Sequence, residues 1–452
     1  MKALLVSTYD LGHQPLHVAS PAAALRRAGH DVRCRDLSVQ EWEESDVEWA
    51  DGVAFSVPMH TAMRLALEAV NRIQRSRPDI PICLYGLYAH IDDGAGRGPA
   101  VDTVSGEYER GLLEWARSVS DGEPVASHGQ VVDLGRQQFH APIREGLPGL
   151  EHYSQLAIGG ERRLAGYVEA SHGCAHRCGH CPVPAVYDGK VRVVGEDVVL
   201  RDIANLASMG ARHITFGDPD FLNAPRHSLR VVRSMHERFP ELTFDCTTKV
   251  EHILRHESIW PEMADAGCLF VVSALECMND EILARLDKGH TARDARRAVE
   301  LLRLHGIEPR PSFLPFTPWS DFQDVFDILD FVGENDLVDN VDPIQYTIRL
   351  LVPHGSLLLR DPAFRALLGD FDAERLTYTW RSADRRLDDL QRRLLEIAER
   401  AAQTDAPLPE TFTEMGEAVV DAADDASLAG SLEMVSVGVE RNTPRLTEPW
   451  FC

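Results

Sequence analysis

The sequence predicts an α/β protein. A doubly wound, Rossmann-like parallel sheet comes first, a partial (βα)6, TIM-like barrel second, and a helical C-terminal region last. Three observations carry this reading. Over residues 1–125, short apolar runs bounded by turn residues alternate with helical periods. A second series of the same kind begins at Gly166. Between them, residues 126–165 form a connector rich in Gly, Pro and Arg without a sustained period, and residues 356–452 turn to long helical stretches and an irregular tail. At about 100–200 residues per domain, 452 residues suit such a multidomain chain.

In the first unit "KALLVST" reads as a strand, "SPAAALRRAG" as a helix with Gly29 past its end, and "HDVRCRDL" and "DGVAFSV" as the next strands. The stretch after Met59 puts Ala62, Leu65, Ala66, Ala69 and Ile73 on one helical face, and "IPICLYG" is a fourth strand. Ligands of such sheets sit beyond the carboxyl ends of the strands, here "TYDLGHQP", "SVPMHT", "YGLYAH" and "SGEYE".

The second unit, residues 166–355, holds six strand–helix units. "AGYVEAS" opens it, followed by "HITFGDPDF", "LTFDCTT", "LFVVSALE", "EPRPSFLPFT" and "DPIQYTIRLL". Val199, Ile203, Leu206 and Ala207 mark the face of its first helix. Its chemistry is expected at the carboxyl ends of the strands. In the last region "RRLDDLQRRLLEIAERAAQ" is a helix.

Composition narrows the functions. Acidic residues outnumber basic ones 71 to 46, a net charge of −25, which argues against nucleic acid as a partner. No run approaches the roughly 18–20 apolar residues of a membrane span. The apolar stretch of "MKALLVSTYD" is too short for a secretory signal. A cytoplasmic protein that does not engage a membrane is expected. Nine irregularly spaced cysteines do not suggest a disulfide framework, so a tight cluster of them points to a metal. Cys34, Cys83, Cys246 and Cys268 read as small buried apolar residues.

That cluster is "CAHRCGHC", residues 174–181, directly after the first barrel strand. A structural zinc site commonly takes two separated cysteine pairs. Here there is no second pair, although His176 or His180 would serve as a fourth ligand and zinc stays open. A 4Fe–4S cluster on three thiolates, leaving one iron free, fits the spacing better.

Cys-x3-Cys-x2-Cys after a first strand resembles the radical S-adenosylmethionine superfamily. The resemblance implies that Cys174, Cys178 and Cys181 bind the cluster. S-adenosylmethionine would chelate the open iron and yield a 5′-deoxyadenosyl radical after one-electron reduction. An electron donor such as flavodoxin or ferredoxin is then a partner. His180 stands at the usually aromatic position near the adenine. "GDPDF" stands where Gly-Gly-Glu receives the amino group, so Asp218 and Asp220 are candidates, each also suited to cap a helix. "SALECMND" and "LDKGHT" resemble the Gly-Ile-Glu-Ser and Lys-Gly-x-Thr segments of cobalamin-linked members, which adds Glu276 and Lys288 as cofactor-binding candidates; Cys277 stands where Ser is common. "LLVPHGSLL" resembles the Pro-x-Gly-Ser/Thr-x-Leu near the barrel end.

With the barrel so read, residues 1–125 resemble the cobalamin-binding domain that precedes many of these barrels, through "SPAAALRRAGHDV", "DGVAFSV" and "DTVSGEYE". The resemblance implies cobalamin as a further cofactor, with Tyr9, Asp10, Gly12, Ser56, Gly86, Gly106 and Glu107 as candidate contacts. The cobalt-ligating Asp-x-His-x-x-Gly is absent, since Leu11, Gly12 and His13 follow Asp10. His13 and His17 are the nearby alternatives. "YGLYAH" lacks the usual Gly-Gly, and Leu87 and Tyr88 stand where the corrin would need room.

"STYDLGHQPLHVASPAAALR" together with "RLTEPWFC" resembles a narrower group whose chains end Cys-Cys-Ala-Glu-Pro or Cys-selenocysteine-Ala-Glu-Pro. The resemblance implies a product that continues past Cys452 through a UGA codon, with Cys452 as a catalytic residue holding a soft acceptor. Three functions are therefore weighed. The first is cobalamin-dependent methyl transfer to a small molecule. The second moves the 3-amino-3-carboxypropyl group of S-adenosylmethionine to a soft acceptor such as trivalent arsenic. The third is a non-catalytic, zinc- or cluster-stabilised binding module.

Overall fold

The computed structural model describes residues 1–89, 101–122, 131–135, 138–423 and 443–448; Cys452 lies outside the described residues. Six parallel strands build the first sheet: β1 (Lys2–Ser7), β2 (Asp31–Asp36), β3 (Gly52–Ser56), β4 (Ile82–Tyr85), β5 (Val101–Gly106) and β6 (Val131–Asp133), in the order β2-β1-β3-β4-β5-β6. Successive residues of β1 face opposite sides, as strand geometry requires. Leu4 and Val6 meet Val53, Phe55, Met63, Ala66 and Ile73 on one face. Ala3 and Leu5 meet Val18, Ala22, Leu25 and Leu112 on the other. Both faces are thus covered, which is why the strands read as continuous apolar runs.

The second sheet has seven strands. After β7 (Gln155–Ile158) and β8 (Glu161–Val168) comes a small hairpin, β9 (Ser171–Gly173) with β10 (Val191–Val193). Then follow β11 (His213–Phe216), β12 (Thr243–Thr247), β13 (Cys268–Glu276) and β14 (Glu308–Phe313). The strands from β8 to β14 are parallel neighbours in the order β14-β13-β12-β11-β8. β15 (Leu368–Asp372) and β16 (Thr377–Trp380) form a hairpin, and β17 (Arg445–Leu446) pairs antiparallel with β7. Phe270, Val272 and Arg310 line one pocket with Leu446 and Glu448, so the tail strand faces β13 and β14 across the seam of the curled sheet.

The sixth expected strand is absent. "DPIQYTIRLL" opens with a 3-10 helix, Pro343–Thr347, and only Phe316 and Arg349 bridge like strands. Proline suits the first turn of a helix and supplies no ladder donor. The edge of β14 is met by a side chain instead, Gln345 Oε1 accepting from Phe313 N at 3.2 Å. The connector is also more structured than its composition suggests, because it contributes β6, β7 and the start of β8. Pieces of three or four residues are too short to show a period. In the C-terminal region the helices Arg385–Thr404 and Leu408–Ala423 bury Leu390, Leu394, Phe412 and Met415 in the barrel core. No helix among the described residues is long and apolar enough to cross a membrane.

Candidate active site

The cysteine loop leaves the barrel through Gly173, whose φ of +76° and whose lack of a Cβ are both required, since a Cβ would lie 2.3 Å from Lys190 O. Gly179 anchors the other end. Its N–H donates to Leu286 O at 2.8 Å, and its carbonyl accepts from Leu358 N and Ser356 Oγ, each at 3.3 Å. The "PHGSLL" segment therefore works by clamping this loop. Asn223 Oδ1 accepts from Ala175 N at 3.1 Å. Cys178 is buried and Cys174 and Cys181 are partly exposed. Burial pushes the Cys174 thiol up and Cys181 to about 12, with the neighbouring thiols adding to both. Such thiols give up their protons to a cationic centre. Cys246, Cys268 and Cys277 are buried elsewhere in the barrel core, so the loop offers three soft donors, a set that fits a three-thiolate cluster.

Beside the loop, Glu276 closes β13 with a φ of +66° after a register shift. Its Oε1 accepts from Lys288 Nζ at 2.9 Å and lies 3.0 Å from His180 Nε2. Burial would raise this carboxyl, yet Lys288 and His180 outweigh it and hold it far below the usual carboxylate range. His180 Nδ1 is buried without a partner, which fits a ligand that presents a hydrogen-bonding edge. The two Asp candidates separate. Asp218 accepts from Ala170 N at 2.9 Å and Ser171 Oγ at 2.6 Å, and burial pushes it up to about 7. Asp220 caps the turn through Leu222 N at 3.0 Å. Its other oxygen faces His252.

The first sheet's carboxyl edge abuts the barrel. Glu107 accepts from Tyr187 Oη at 3.0 Å and lies 3.1 Å from His172 Nδ1. His172 Nε2 is 3.2 Å from Glu169, which is also 3.3 Å from His17 Nε2 and accepts from Tyr167 Oη at 2.9 Å. Burial opposes ionisation of Glu169, His17 and His172, but opposite charges win. Glu169 is lowered by His17 and His172, and His172 is raised to about 10 by Glu107 and Glu169. Of the two candidates for cobalt, His17 has both ring nitrogens engaged. His17 uses its second nitrogen on Tyr108 Oη at 2.9 Å, and buried His13 lies against Tyr167 with ring centroids 4.7 Å apart.

The remaining first-domain candidates do gather on this edge. Gly12, Gly86 and Gly106 have φ of +69°, +114° and +79°. Tyr9 Oη donates to Glu448 Oε1 at 3.2 Å, and Ser56 pairs in register with Tyr85 at the end of β3. Asp10 Oδ2 and Ser105 Oγ are buried without partners, and two such atoms at the end of a doubly wound sheet fit a polar cofactor seated there. Leu87 packs against Val183, Val186 and Tyr187, the cluster that Cys174 and Cys181 also pack against. Cys34 is half-exposed on the edge strand β2, whereas Cys83, Cys246 and Cys268 are buried as expected.

Glu169, His172, Lys249 and His252 were not candidates from the sequence, and His176 was one only as a fourth zinc ligand. Glu169 alone carried a signal, a carboxylate at the end of the strand that leads to the cysteines.

Comparison with known proteins agrees with this geometry. Residues 2–115 match the B12 binding domain, and residues 168–332 match the Radical SAM superfamily. The chain is 20% identical over 431 residues to hopanoid C-3 methylase of Methylococcus capsulatus, covering 91% of this chain and 77% of that one. Its fold is similar to that of the cobalamin-dependent S-adenosylmethionine radical enzyme OxsB with aqua-cobalamin bound, with a TM-score of 0.71, 15% identity, and coverage of 96% and 74%. It is also similar to the radical S-adenosylmethionine methyltransferase TsrM from Kitasatospora setae, with a TM-score of 0.61, 18% identity, and coverage of 79% and 74%.

Proposed function

We propose that this radical SAM enzyme, which carries a B12-binding domain ahead of its barrel, transfers a methyl group to a small molecule. The observation that carries the reading is the face-to-face placement of two ligand-binding edges. Glu107, at the carboxyl edge of the first sheet, bonds Tyr187 and His172 on either side of the cysteine loop. When bound, the cluster with S-adenosylmethionine supplies the 5′-deoxyadenosyl radical, and cobalamin carries the methyl group.

The chain's own residues then have distinct tasks. Cys174, Cys178 and Cys181 hold the cluster. Glu276, kept ionised by Lys288, offers an acceptor to ribose hydroxyls, and His180 lies beside it for the adenine. The Glu107–His172–Glu169–His17 group fixes the distance between the two edges and excludes water from between them. An external one-electron donor completes the system.

The test is the fate of S-adenosylmethionine in anaerobically reconstituted, reduced enzyme. S-adenosylhomocysteine formed only with cobalamin, together with 5′-deoxyadenosine, is expected. Methylthioadenosine in their place would overturn methyl transfer in favour of 3-amino-3-carboxypropyl transfer.

A further inference from the structure

Three side chains from three elements meet behind the cysteine loop. His176 lies between the first two cysteines, Asp220 follows β11, and His252 sits in the helix Val250–Arg255. His176 Nε2 is 3.2 Å from His252 Nε2 and 3.6 Å from Asp220 Oδ2, and His252 Nδ1 is 2.7 Å from Asp220 Oδ2. Metal–ligand bonds of about 2.1 Å set donor–donor edges of about 3.0–3.4 Å around a tetrahedral or octahedral ion; His176 Nε2 is near that spacing from His252 Nε2 and Asp220 Oδ2, the 2.7 Å contact belongs to the other His252 nitrogen, and one donor atom from each residue lies within 4.8 Å of the others.

A second observation points the same way. Asp220 and His252 are 1% and 6% exposed, yet Asp220 Oδ2 and His252 Nδ1 each lack a hydrogen bond. The two atoms lie 2.7 Å apart as an ion-pair contact without well-directed hydrogen-bond geometry, and buried polar atoms are normally better satisfied, so both stay open to an ion beside them. Asp220 Oδ1 is already held by Leu222 N, which fixes the carboxylate with Oδ2 directed at the histidines.

We propose that His176, Asp220 and His252 form a mononuclear site for a divalent transition ion of the zinc or iron(II) type, separate from the three-thiolate cluster. Two imidazoles and one carboxylate suit such ions and leave coordination positions open. Calcium and magnesium would demand a mainly oxygen shell. Glu251 Oε2 lies 3.6 Å from His176 Nδ1, beyond a direct hydrogen bond. Lys249 Nζ lies 3.1 Å from the same nitrogen and 3.6 Å from Glu251, so its charge is balanced. No cysteine sulfur belongs to the donor set, and an ion here would brace the cysteine loop at its midpoint.

Cobalt(II) is the probe. Cluster-loaded protein, stripped of loosely held metal, is dialysed anaerobically against Co(II). One Co(II) per chain is expected, with weak d–d bands and no sulfur-to-cobalt charge transfer. Asp220→Asn and His252→Gln should each weaken binding more than tenfold. Failure to bind stoichiometrically, or wild-type affinity in both ligand variants, would overturn the proposal. Zinc-edge absorption of the wild-type protein gives an independent arm. A first shell of nitrogen and oxygen is expected, and sulfur in it would place the ion on the cysteines and overturn the site.

Discussion

Arg144 and Asp202 form a two-pronged buried ion pair, with Nε and Nη2 of the arginine each 2.8 Å from a carboxylate oxygen. The same guanidinium donates to Gln14 Oε1 at 2.9 Å and Tyr167 O at 2.7 Å, so one side chain of the connector ties the first sheet's edge to the barrel. Removing one partner strands a buried charge, which costs about 3–5 kcal/mol. Arg144→Met and Asp202→Leu should each lower stability to urea by that amount, and the double variant by less than either single change. A double variant as damaged as the sum would show that the two side chains act independently.

Gly173→Ala tests how tightly the cysteine loop is shaped. The added Cβ would meet Lys190 O at 2.3 Å in a backbone region that disfavours alanine. The variant should retain less than half the iron of the wild type after reconstitution, although every cysteine remains. Cys178→Ala should retain almost none and lose S-adenosylmethionine cleavage altogether. Iron analysis and visible absorbance decide both.

Glu276 and Lys288 predict a flat pH profile. Burial alone would raise Glu276, but Lys288 and His180 depress it below its unfolded value. A carboxyl depressed in this way contributes stability that is present above the unfolded value, about 4.3, and lost only as pH falls through the lower folded value. S-adenosylmethionine affinity should therefore show no carboxylate inflection from pH 8 to 5. Lys288→Met should bring an inflection into that window, and Glu276→Gln should weaken binding about tenfold, roughly 1.4 kcal/mol, without loss of iron. Equilibrium dialysis across pH measures all three.

The strands β1 to β4, β8 and β11 to β14 were legible because each is an apolar run long enough to stand out, and the cysteine triad as a candidate site because its spacing is local. The sixth barrel strand was misread because Ile344, Tyr346, Ile348 and Leu350 alternate as a strand would, while Gln345 and Thr347 between them are also buried. A buried amide that satisfies a strand edge leaves no periodic trace. His172 and His252 were not singled out, and His17 and His176 were read only as possible metal ligands, for a different reason. Glu107 with His172 and Glu169 with His17 are 65 and 152 residues apart, a juxtaposition made only by docking the two sheets.

Gly12→Ala probes the seam between the first domain and the tail. Gly12 has a φ of +69°, and a Cβ there would lie 2.6 Å from Glu448 Cγ. Glu448 is otherwise held by Tyr9 Oη and Ser154 Oγ. The substitution should cost about 1–3 kcal/mol in backbone strain and push the tail strand away from β7. Hydrogen exchange of residues 443–448 should rise in the variant while β1 stays protected. Unchanged exchange would mean that the tail accommodates the methyl group.

Asp10 gives the pH dependence of the first domain a definite sign. It is 5% exposed, and burial raises its carboxyl to about 7, against the pull of His17 and Arg144 and with the push of Glu169 and Asp36. The unfolded chain titrates it near 3.9. Between those values the folded protein holds a proton that the unfolded chain has lost, so stability is greatest at the acid end and declines as pH rises to about 7, by up to about 1.4 kcal/mol per pH unit. Asp10→Asn carries no such charge to bury. Its stability relative to the wild type should improve steadily from pH 5 to pH 7 and then level off, as read from urea unfolding at each pH. A constant difference across the range would mean that Asp10 is ionised in the folded protein, with its unpaired Oδ2 already neutralised by His17.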